Sequence, residues 1–362
     1  MPLLRGLAIL AVVLNHAAGH GYTAMFWWAH RYRDVVSPNF DQMGSWPYYG
    51  LVAVQQLTLF SVPAFLFISG FFVAYAARGD RATLSWKIVR TRVLGLLWPY
   101  LIWSLLIFLV EAAEGETRSA LDYAISLLLG HAVGAYFFIP LLVQLYLLAP
   151  FLVPLARERG RALIVGAGVV QVVFVGLLYQ RYFGGSLPAL PDDTPWALVW
   201  WAVYFPMGIV CGLHIKAWKA WLQRARYALL VATIVLGIGS IFEAEWLTAV
   251  TGAFDWPHAT FKLSSMLYAV AFILCFLAFE PHAMPCSRQV EQIGAMSFGI
   301  YLLHPKVMEL SARAIYHLAP GLLGYQAVFQ AIIVLLSIGL PILAMKWAAR
   351  TPLRKVYRYF FG

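Results

Sequence analysis

An arginine and a histidine lie within the first apolar segment of the chain, LLRGLAILAVVLNHAAGHG at residues 3–21. On a helix of about 100° per residue, Arg5 and His16 point from one face with a remainder of roughly 20°. At about 1.5 Å rise per residue, they are separated by about 16 Å in depth. Ionisable groups inside a bilayer cost about 2.5 to 3.5 kcal/mol each, so they usually face a bundle interior and mark a functional site. We therefore predict that this helix presents a guanidinium and an imidazole to one interior space.

Simpler interpretations of both residues stay open at this stage. Arg5 can serve as an interfacial anchor whose guanidinium reaches the lipid headgroups. His16 can be one of the polar side chains that hydrogen-bond between helices of a membrane bundle. The shared face of the two residues weakens these alternatives only a little.

A second polar stripe lies near the C-terminal end of the chain. Ser297, Tyr301 and His304 fall within about 40° of one another on a helical wheel. His304 and His16 each lie about 20 Å in depth from the predicted start of their helices, so we expect the two imidazoles at the same depth. The alternative is that these polar groups pack independently beside a turn at Pro305.

Composition indicates the class of protein that holds these groups. The chain is 62% hydrophobic and 12% charged, whereas about a quarter of a soluble globular protein is charged. We predict an all-α, polytopic membrane helix bundle. Ten apolar runs approach the roughly 20 residues that cross about 30 Å of hydrocarbon, at residues 3–21, 50–77, 93–112, 135–156, 162–180, 196–215, 227–247, 261–279, 292–315 and 322–349.

Basic residues are concentrated in alternate connecting segments. Most of the 26 Lys and Arg residues fall in the predicted inner segments, and most of the 16 Asp and Glu residues fall in the outer ones. The positive-inside rule then places both termini in the cytoplasm, and we expect a multi-pass protein of the inner (cytoplasmic) cell membrane. This distribution favours contact between the basic run at 78–92 and anionic membrane lipids. It argues against nucleic acid as a partner, despite a net charge of +10.

Cysteine usage and motif content restrict the chemistry further. Cys211, Cys275 and Cys286 occur singly, which fits neither a disulfide framework nor a metal-ligand spacing. The sequence contains no glycine-rich phosphate loop, zinc spacing or appended soluble domain. We predict a single integral-membrane domain over 1–362, with no metal and no tightly bound cofactor.

The longest predicted outer segment, about residues 22–49, is rich in aromatic residues, Tyr22, Trp27 and Trp46 among them. Rings beside polar donors can stack on a sugar. An interfacial belt of Trp and Tyr explains the same residues equally directly.

Five sequence motifs occur in a fixed order along about 300 residues. They are LRGLAILAVVLNH with ten residues between Arg and His, SVPAFLFISGFF at 61–72, the basic turn before WPY at 90–100, AYFF and LYLLAP within 135–150, and SFGIYLLHP at 297–305. Together they resemble the integral-membrane O-acyltransferases of acyltransferase family 3.

The resemblance implies ten helices and transfer of an acyl group, often acetyl, from cytoplasmic acyl-CoA to a hydroxyl of an envelope or exported carbohydrate, lipid or small molecule. The family's essential arginine and histidine correspond to Arg5 and His16. Pro2 stands where the family often has an aspartate, and Gly95 stands where it often has a second basic residue. Many members carry a fused soluble esterase-like domain, so a separate soluble partner enzyme is expected if that domain is needed.

These residues suggest a reaction axis along the membrane normal. Arg5, Arg90 and Arg92 are predicted to bind the phosphates of acyl-CoA, the donor substrate, because a guanidinium pairs bidentately with phosphate oxygens. The thioester then lies near His16. This imidazole either takes a proton from the acceptor hydroxyl as a general base or accepts the acyl group as a nucleophile.

Four further residues are candidates for orienting the acceptor or stabilising an oxyanion, namely Ser69, Tyr136, Tyr301 and His304. Two other classes of function stay open. A proton-coupled transporter or flippase can use intramembrane His and Arg as a relay, although no carboxylate lies firmly within a predicted span. A non-catalytic membrane scaffold can use the same groups for packing.

Overall fold

The computed structural model describes residues 1–28, 42–79, 83–184, 194–279 and 286–362. Within these ranges the chain is helical and contains no β-strand, which confirms the predicted all-α class. The α-helices, numbered in chain order, are α1 Pro2–Tyr22, α2 Trp46–Leu57, α3 Ser61–Ala76, α4 Trp86–Ala113, α5 Ala120–Leu129, α6 Phe138–Tyr182, α7 Tyr204–Leu213, α8 Ile215–Thr251, α9 Asp255–His258, α10 Leu263–Ala278, α11 Ser287–Ala295, α12 Ser297–Leu318, α13 Gln326–Arg350 and α14 Tyr357–Phe361.

Several of these helices are suited to a bilayer. In the described part of the chain, seven segments are long and apolar enough to cross a membrane, namely Pro2–Trp27, Trp46–Ala76, Trp86–Ala113, Gly134–Tyr182, Ile215–Thr251, Asp255–Ala278 and Gln326–Arg350. The chain is a multi-pass membrane protein. Two of the ten predicted spans fall outside this set, because α7 has only 10 residues and α12 carries Lys306, Glu309 and Arg313. The count of ten stays a prediction.

Helix α6 contains a reversal of chain direction. Its 45 residues are interrupted at Arg159, where φ of −133° and ψ of 42° are not helical. Before this point, Gln144 Nε2 donates to the Trp196 carbonyl over 2.8 Å, and the Ala156 carbonyl lies 3.2 Å from the His214 ring.

Before Arg159 the contacts of α6 advance from Trp196 to His214. Beyond Arg159 they return along the same stretch of chain, from Val210 to Val203. A Cβ atom on Gly160 would lie 3.1 Å from Val210, and the Val203 N–H donates to Gln171 Oε1 over 3.1 Å. The two halves of α6 are therefore antiparallel. They correspond to the predicted segments 135–156 and 162–180, with the basic turn between them.

Helix α1 lies at the centre of the bundle and packs against α2, α3, α11, α12 and α13. Small residues permit this close packing. A Cβ atom on Gly6 would collide with the backbone carbonyl of Val290, and one on Gly294 would lie 2.7 Å from the Pro2 carbonyl oxygen. The contact between α1 and α11 therefore depends on the two glycines.

The helix pair α3 and α7 crosses equally closely. A Cβ atom on Gly70 would collide with the carbonyl of Phe205, and one on Gly208 would collide with the carbonyl of Phe67. The crossing thus depends on two reciprocal glycines, each placed against the backbone of the other helix. It fixes α3, which forms part of the wall of the cavity described below.

Residues 58–60, between α2 and α3, are not helical, and carbonyls in the last turn of α2 accept hydrogen bonds from side chains of other helices. Asn15 Nδ2 donates to the Gln55 carbonyl over 3.1 Å, and the Tyr268 hydroxyl donates to the Leu57 carbonyl over 2.8 Å. Pro63 follows in the first turn of α3, where its missing N–H costs little. The break between α2 and α3 therefore lies just before this proline.

Two polar contacts lie near the ends of predicted spans. Arg157, in the predicted inner segment after span 135–156, donates to the carbonyl of Ala77, the last residue of span 50–77. Arg313, near the end of span 292–315, pairs over 3.3 Å with Glu114 in the predicted outer segment after span 93–112. Which end faces the cytoplasm stays a prediction.

We expect Gly208→Ala to lower the midpoint of thermal unfolding in detergent, because its new methyl group meets backbone rather than a movable side chain. Overpacking of this kind costs about 1–3 kcal/mol. The matched control is Gly239→Ala in α8, where a Cβ atom meets nothing within 4 Å. Equal midpoints for the two variants would contradict the close crossing of α3 and α7.

Candidate active site

A cavity of about 1020 Å³ runs along α1 through the bundle. Arg5 and Arg92 line it at one end, and Trp27 and Asp255 line it at the other; we call these the Arg5 end and the Trp27 end. Between Arg5 and Tyr22, which also lines the cavity, α1 rises by about 26 Å. That length approaches the hydrocarbon thickness of about 30 Å, so the cavity reaches most of the way across a bilayer.

Arg5 is half-buried at its end of the cavity, and its Nε donates to Ser297 Oγ over 2.6 Å. The short break at Met296 between α11 and α12 places Ser297 at the start of α12. Among the described residues, no side chain or carbonyl accepts from the two Nη groups of Arg5. The Arg5 guanidinium therefore makes one hydrogen bond through Nε, and its two Nη groups can donate to an anion.

Arg92 lies on α4 at the same end of the cavity. Its Nη2 donates to the Phe72 carbonyl over 3.0 Å, and its guanidinium carbon lies 5.5 Å from the centre of the Tyr146 ring. Arg90 lies two residues earlier on the same helix, but it is exposed and does not line the cavity. The structure thus separates two arginines that the sequence presents as equivalent.

His16 lies deeper in the cavity, against a second histidine. Its ring centre is 5.2 Å from that of His304, with 66° between the ring planes. The predicted shared depth of the two imidazoles is confirmed. Arg5 and His16 also line the same cavity, as their shared helix face predicted.

His304 is fully buried and does not line the cavity. Its Nδ1 lies 2.9 Å from the Tyr301 carbonyl and 3.1 Å from the Ile300 carbonyl. Pro305 has no N–H, so it cannot be the helical donor to the Tyr301 carbonyl. Both neighbours are acceptors, so Nδ1 carries the proton and Nε2 carries the lone pair. His304 thus lies behind His16, and its predicted contact with substrate stays a prediction.

Tyr136 and Tyr301 make a reciprocal pair of hydrogen bonds. The Tyr136 hydroxyl donates to the Leu302 carbonyl, and the Tyr301 hydroxyl donates to the Ala135 carbonyl, each over 2.6 Å. Both hydroxyl protons are therefore used to join residues 134–137 to α12. Tyr301 lines the cavity, whereas Tyr136 is fully buried and does not.

Ser69, on α3, lines the cavity and is half-buried. Asn15 was not singled out from the sequence, although it lines the cavity beside His16. Its Nδ2 donates to the Gln55 carbonyl and to Thr58 Oγ1, both over 3.1 Å. The position of this asparagine inside an apolar segment could have indicated its role, because polar side chains in a membrane bundle hydrogen-bond to neighbouring helices.

A buried lysine near the Trp27 end was also missed. Lys262 has no exposed surface, and its Nζ donates to Gln56 Oε1 over 2.7 Å and to the Ser240 carbonyl over 3.3 Å. Gln56 Nε2 donates in turn to the His258 carbonyl over 3.3 Å. A lysine within the predicted span 261–279 was the available signal, since intramembrane ionisable residues are rare.

The remaining sequence-based predictions concern metals and the aromatic segment. Within the described ranges, no group of three His, Cys, Asp or Glu side chains is arranged to hold a metal ion. Cys211 and Cys275 are buried, Cys286 is exposed, and all three are free. Of the aromatic segment 22–49, residues 29–41 lie outside the described part of the chain.

Comparison with known proteins identifies the family. Residues 2–346 match the family model Acyl_transf_3, described as an acyltransferase domain. A Bacillus subtilis (strain 168) protein, whose name describes a membrane-bound acyltransferase, YfiQ, is 25% identical over 263 residues, which cover 70% of this chain and 69% of the relative.

A Staphylococcus aureus (strain MRSA252) protein, whose name describes export of poly-β-1,6-N-acetyl-D-glucosamine, is 22% identical over 261 residues, which cover 71% of each chain. No solved structure matches the chain. The match over nearly the whole length is decisive: the chain belongs to acyltransferase family 3 and is a membrane acyltransferase.

Proposed function

We propose that this acyltransferase moves an acyl group, most simply acetyl, from cytoplasmic acyl-CoA to a hydroxyl of an envelope or exported carbohydrate, lipid or small molecule. The observation that supports this most strongly is the continuous cavity shared by Arg5 and His16. One end offers cationic donors, and the middle offers an imidazole. In this proposal the Arg5 end faces the cytoplasm of a cell with the protein in its inner membrane, as the positive-inside rule predicts.

The donor enters at the Arg5 end. Arg5 and Arg92 line the wall there, so their guanidinium groups bind phosphates of the CoA moiety through charge-assisted hydrogen bonds. Arg90 is exposed beside that end, and it contacts the part of the nucleotide that extends out of the cavity. Acyl-CoA is bound as a substrate, with the pantetheine arm extending about 16 Å along α1 to His16.

The chemistry takes place at His16. The acceptor oxygen attacks the thioester carbonyl carbon, a C–O bond forms, and the C–S bond to CoA breaks. As a general base, His16 takes the hydroxyl proton and passes it to the leaving thiolate. Alternatively, the His16 imidazole attacks the thioester carbonyl carbon and the C–S bond breaks, so that CoA leaves as its thiolate. The acyl-imidazole then transfers the acyl group to the acceptor oxygen, whose proton goes to the thiolate. In both routes His304, packed against it, restricts the orientation of the His16 ring.

The acceptor enters from the Trp27 end, opposite the donor. Ser69 and Tyr301 line the cavity and are candidates for contacting it or the oxyanion. The Staphylococcus aureus relative is named for an amino-sugar polymer, which favours a carbohydrate among the acceptor classes. Membrane lipids surround the bundle.

A transporter or flippase is the second candidate function. It is favoured by the export role in the name of that relative and by a cavity that approaches both ends of the bundle. A transporter would accumulate an envelope precursor in vesicles that contain no acyl donor. Accumulation that persists in His16→Ala and needs no acyl-CoA would favour this candidate over the enzyme.

We expect His16→Ala to reduce acyl transfer at least about 100-fold, the usual lower range for loss of a general acid–base group. The measurement is transfer of label from radiolabelled acetyl-CoA to envelope material, with CoA release, in purified membranes. His131→Ala is the matched control, because His131 is exposed and does not line the cavity. Unchanged CoA release in His16→Ala would reject His16 as the reacting group.

We expect Arg5→Ala and Arg92→Ala each to weaken CoA binding by about tenfold or more, since a hydrogen bond to a charged group contributes about 1.5–3 kcal/mol. Arg90→Ala should have a smaller effect because its side chain is in solvent. Calorimetry in detergent measures all three affinities, with Arg224→Ala as an exposed control on α8. Wild-type affinity in both Arg5→Ala and Arg92→Ala would remove these residues from the donor site.

A further inference from the structure

Three residues on the cavity wall carry a buried polar atom without a hydrogen-bond partner. In the described part of the chain these atoms are Tyr22 Oη, Gln55 Oε1 and His258 Nε2. Leaving such an atom unsatisfied costs about 1–3 kcal/mol. Buried polar atoms that line a cavity can bond to water or to a polar ligand that enters it.

Tyr22 and His258 lie together towards the Trp27 end, and Gln55 lies on the same cavity wall nearer to His16. The Tyr22 ring centre is 5.9 Å from that of His258. Gln55 precedes Gln56, whose Nε2 donates to the His258 carbonyl over 3.3 Å, and the Gln55 carbonyl accepts from Asn15. The short helix α9 thus meets the last turn of α1, and the end of α2 continues the same wall towards His16.

The hydrogen-bonding character of these atoms restricts the ligand. His258 Nδ1 lies 2.8 Å from the Phe254 carbonyl, so it carries the proton and the neutral ring offers Nε2 as an acceptor. Gln55 Oε1 is also an acceptor, whereas the Tyr22 hydroxyl both donates and accepts. A ligand that satisfies all three needs two donors and, for Tyr22, either an acceptor or a third donor, which adjacent hydroxyl groups supply.

Aromatic rings surround the same region. The Phe254 ring stacks on His258 with centres 4.2 Å apart, and Trp201 meets Phe261 with centres 5.2 Å apart. The Trp27 side chain, 65% exposed, lies at the mouth. A pocket with aromatic faces and a few convergent polar atoms matches a sugar ring, whose faces carry C–H groups and whose edge carries hydroxyls.

We propose that Tyr22, Gln55 and His258 form a carbohydrate-binding site at the Trp27 end of the cavity. As the acceptor site, it rests on the proposed function. It holds a pyranose ring by its edge hydroxyls, with another hydroxyl directed along α1 towards His16, six residues before Tyr22 and about 9 Å deeper. Binding alone does not depend on acyl transfer.

Gln56 positions His258 in this site. Gln56 joins the buried Lys262 ammonium to the His258 carbonyl, which fixes the α9 backbone. The Glu245 carboxylate lies 3.8 Å from His258 Nε2 and accepts from the Tyr48 hydroxyl over 3.0 Å. This carboxylate favours an arriving hydroxyl donor at the same edge of the ring.

The test is binding of the fluorescently labelled full-length protein, in detergent, to an array of hexose and N-acetylhexosamine oligosaccharides. Long-chain alcohols are arrayed as a lipid-like comparison. Tyr22→Phe and Gln55→Met each remove one ligand-facing polar group with little change in volume. Ser337→Ala is the matched control, because Ser337 Oγ is also buried and has no hydrogen-bond partner among the described residues, but does not line the cavity.

We expect wild-type protein and Ser337→Ala to bind at least one class of arrayed carbohydrate, with affinity at least tenfold lower in Tyr22→Phe and in Gln55→Met. Binding to no carbohydrate, binding only to the alcohols, or equal binding by all four proteins would overturn the site. CoA calorimetry on the same samples separates the two proposals. Carbohydrate binding without CoA binding would reject the proposed donor site and retain this one, and the reverse result would do the opposite.

Discussion

The structure depends on keeping a guanidinium and an imidazole within an apolar bundle without leaving them unsolvated. Transfer of an unpaired charge into hydrocarbon is costly, so Arg5 and His16 need polar partners and an open space. Ser297 and His304 supply contacts, and the cavity supplies the space. The non-helical stretches beside α1, at Met296 and at 58–60, lie where backbone polar groups can bond to side chains. The close glycine contacts then hold the surrounding helices around this space.

Much of this arrangement could be predicted from helical periodicity. The eleven-residue spacing of Arg5 and His16 places them on one face of any regular helix, and the structure places both on one cavity. The common depth of His16 and His304 could be predicted because their helices were expected to start at the same end of the bundle. The contact between the two rings agrees with this prediction. The basic turn at 157–161 likewise predicted the reversal, since positive charge is concentrated at one end of a membrane bundle.

Other features depend on contacts between segments far apart in the sequence, and periodicity carries no information about them. Arg90 and Arg92 look alike in the sequence, and only the packing of α4 shows that Arg92 alone lines the cavity. The Tyr301 hydroxyl donates to the Ala135 carbonyl, 166 residues earlier in the sequence. His258 is the last residue of the short helix α9, outside the predicted spans, so its place on the cavity wall could not be predicted.

The most direct test of the account is a structure of the protein bound to a non-reactive acetyl-CoA analogue whose thioester sulfur is replaced by a methylene group. We predict that its phosphates contact Arg5 and Arg92 and that its carbonyl carbon lies within about 4 Å of His16, close enough for proton transfer directly or through one water. An analogue bound on the lipid-facing surface, or one whose acyl end points away from His16, would contradict the central claim that donor and imidazole meet inside this cavity.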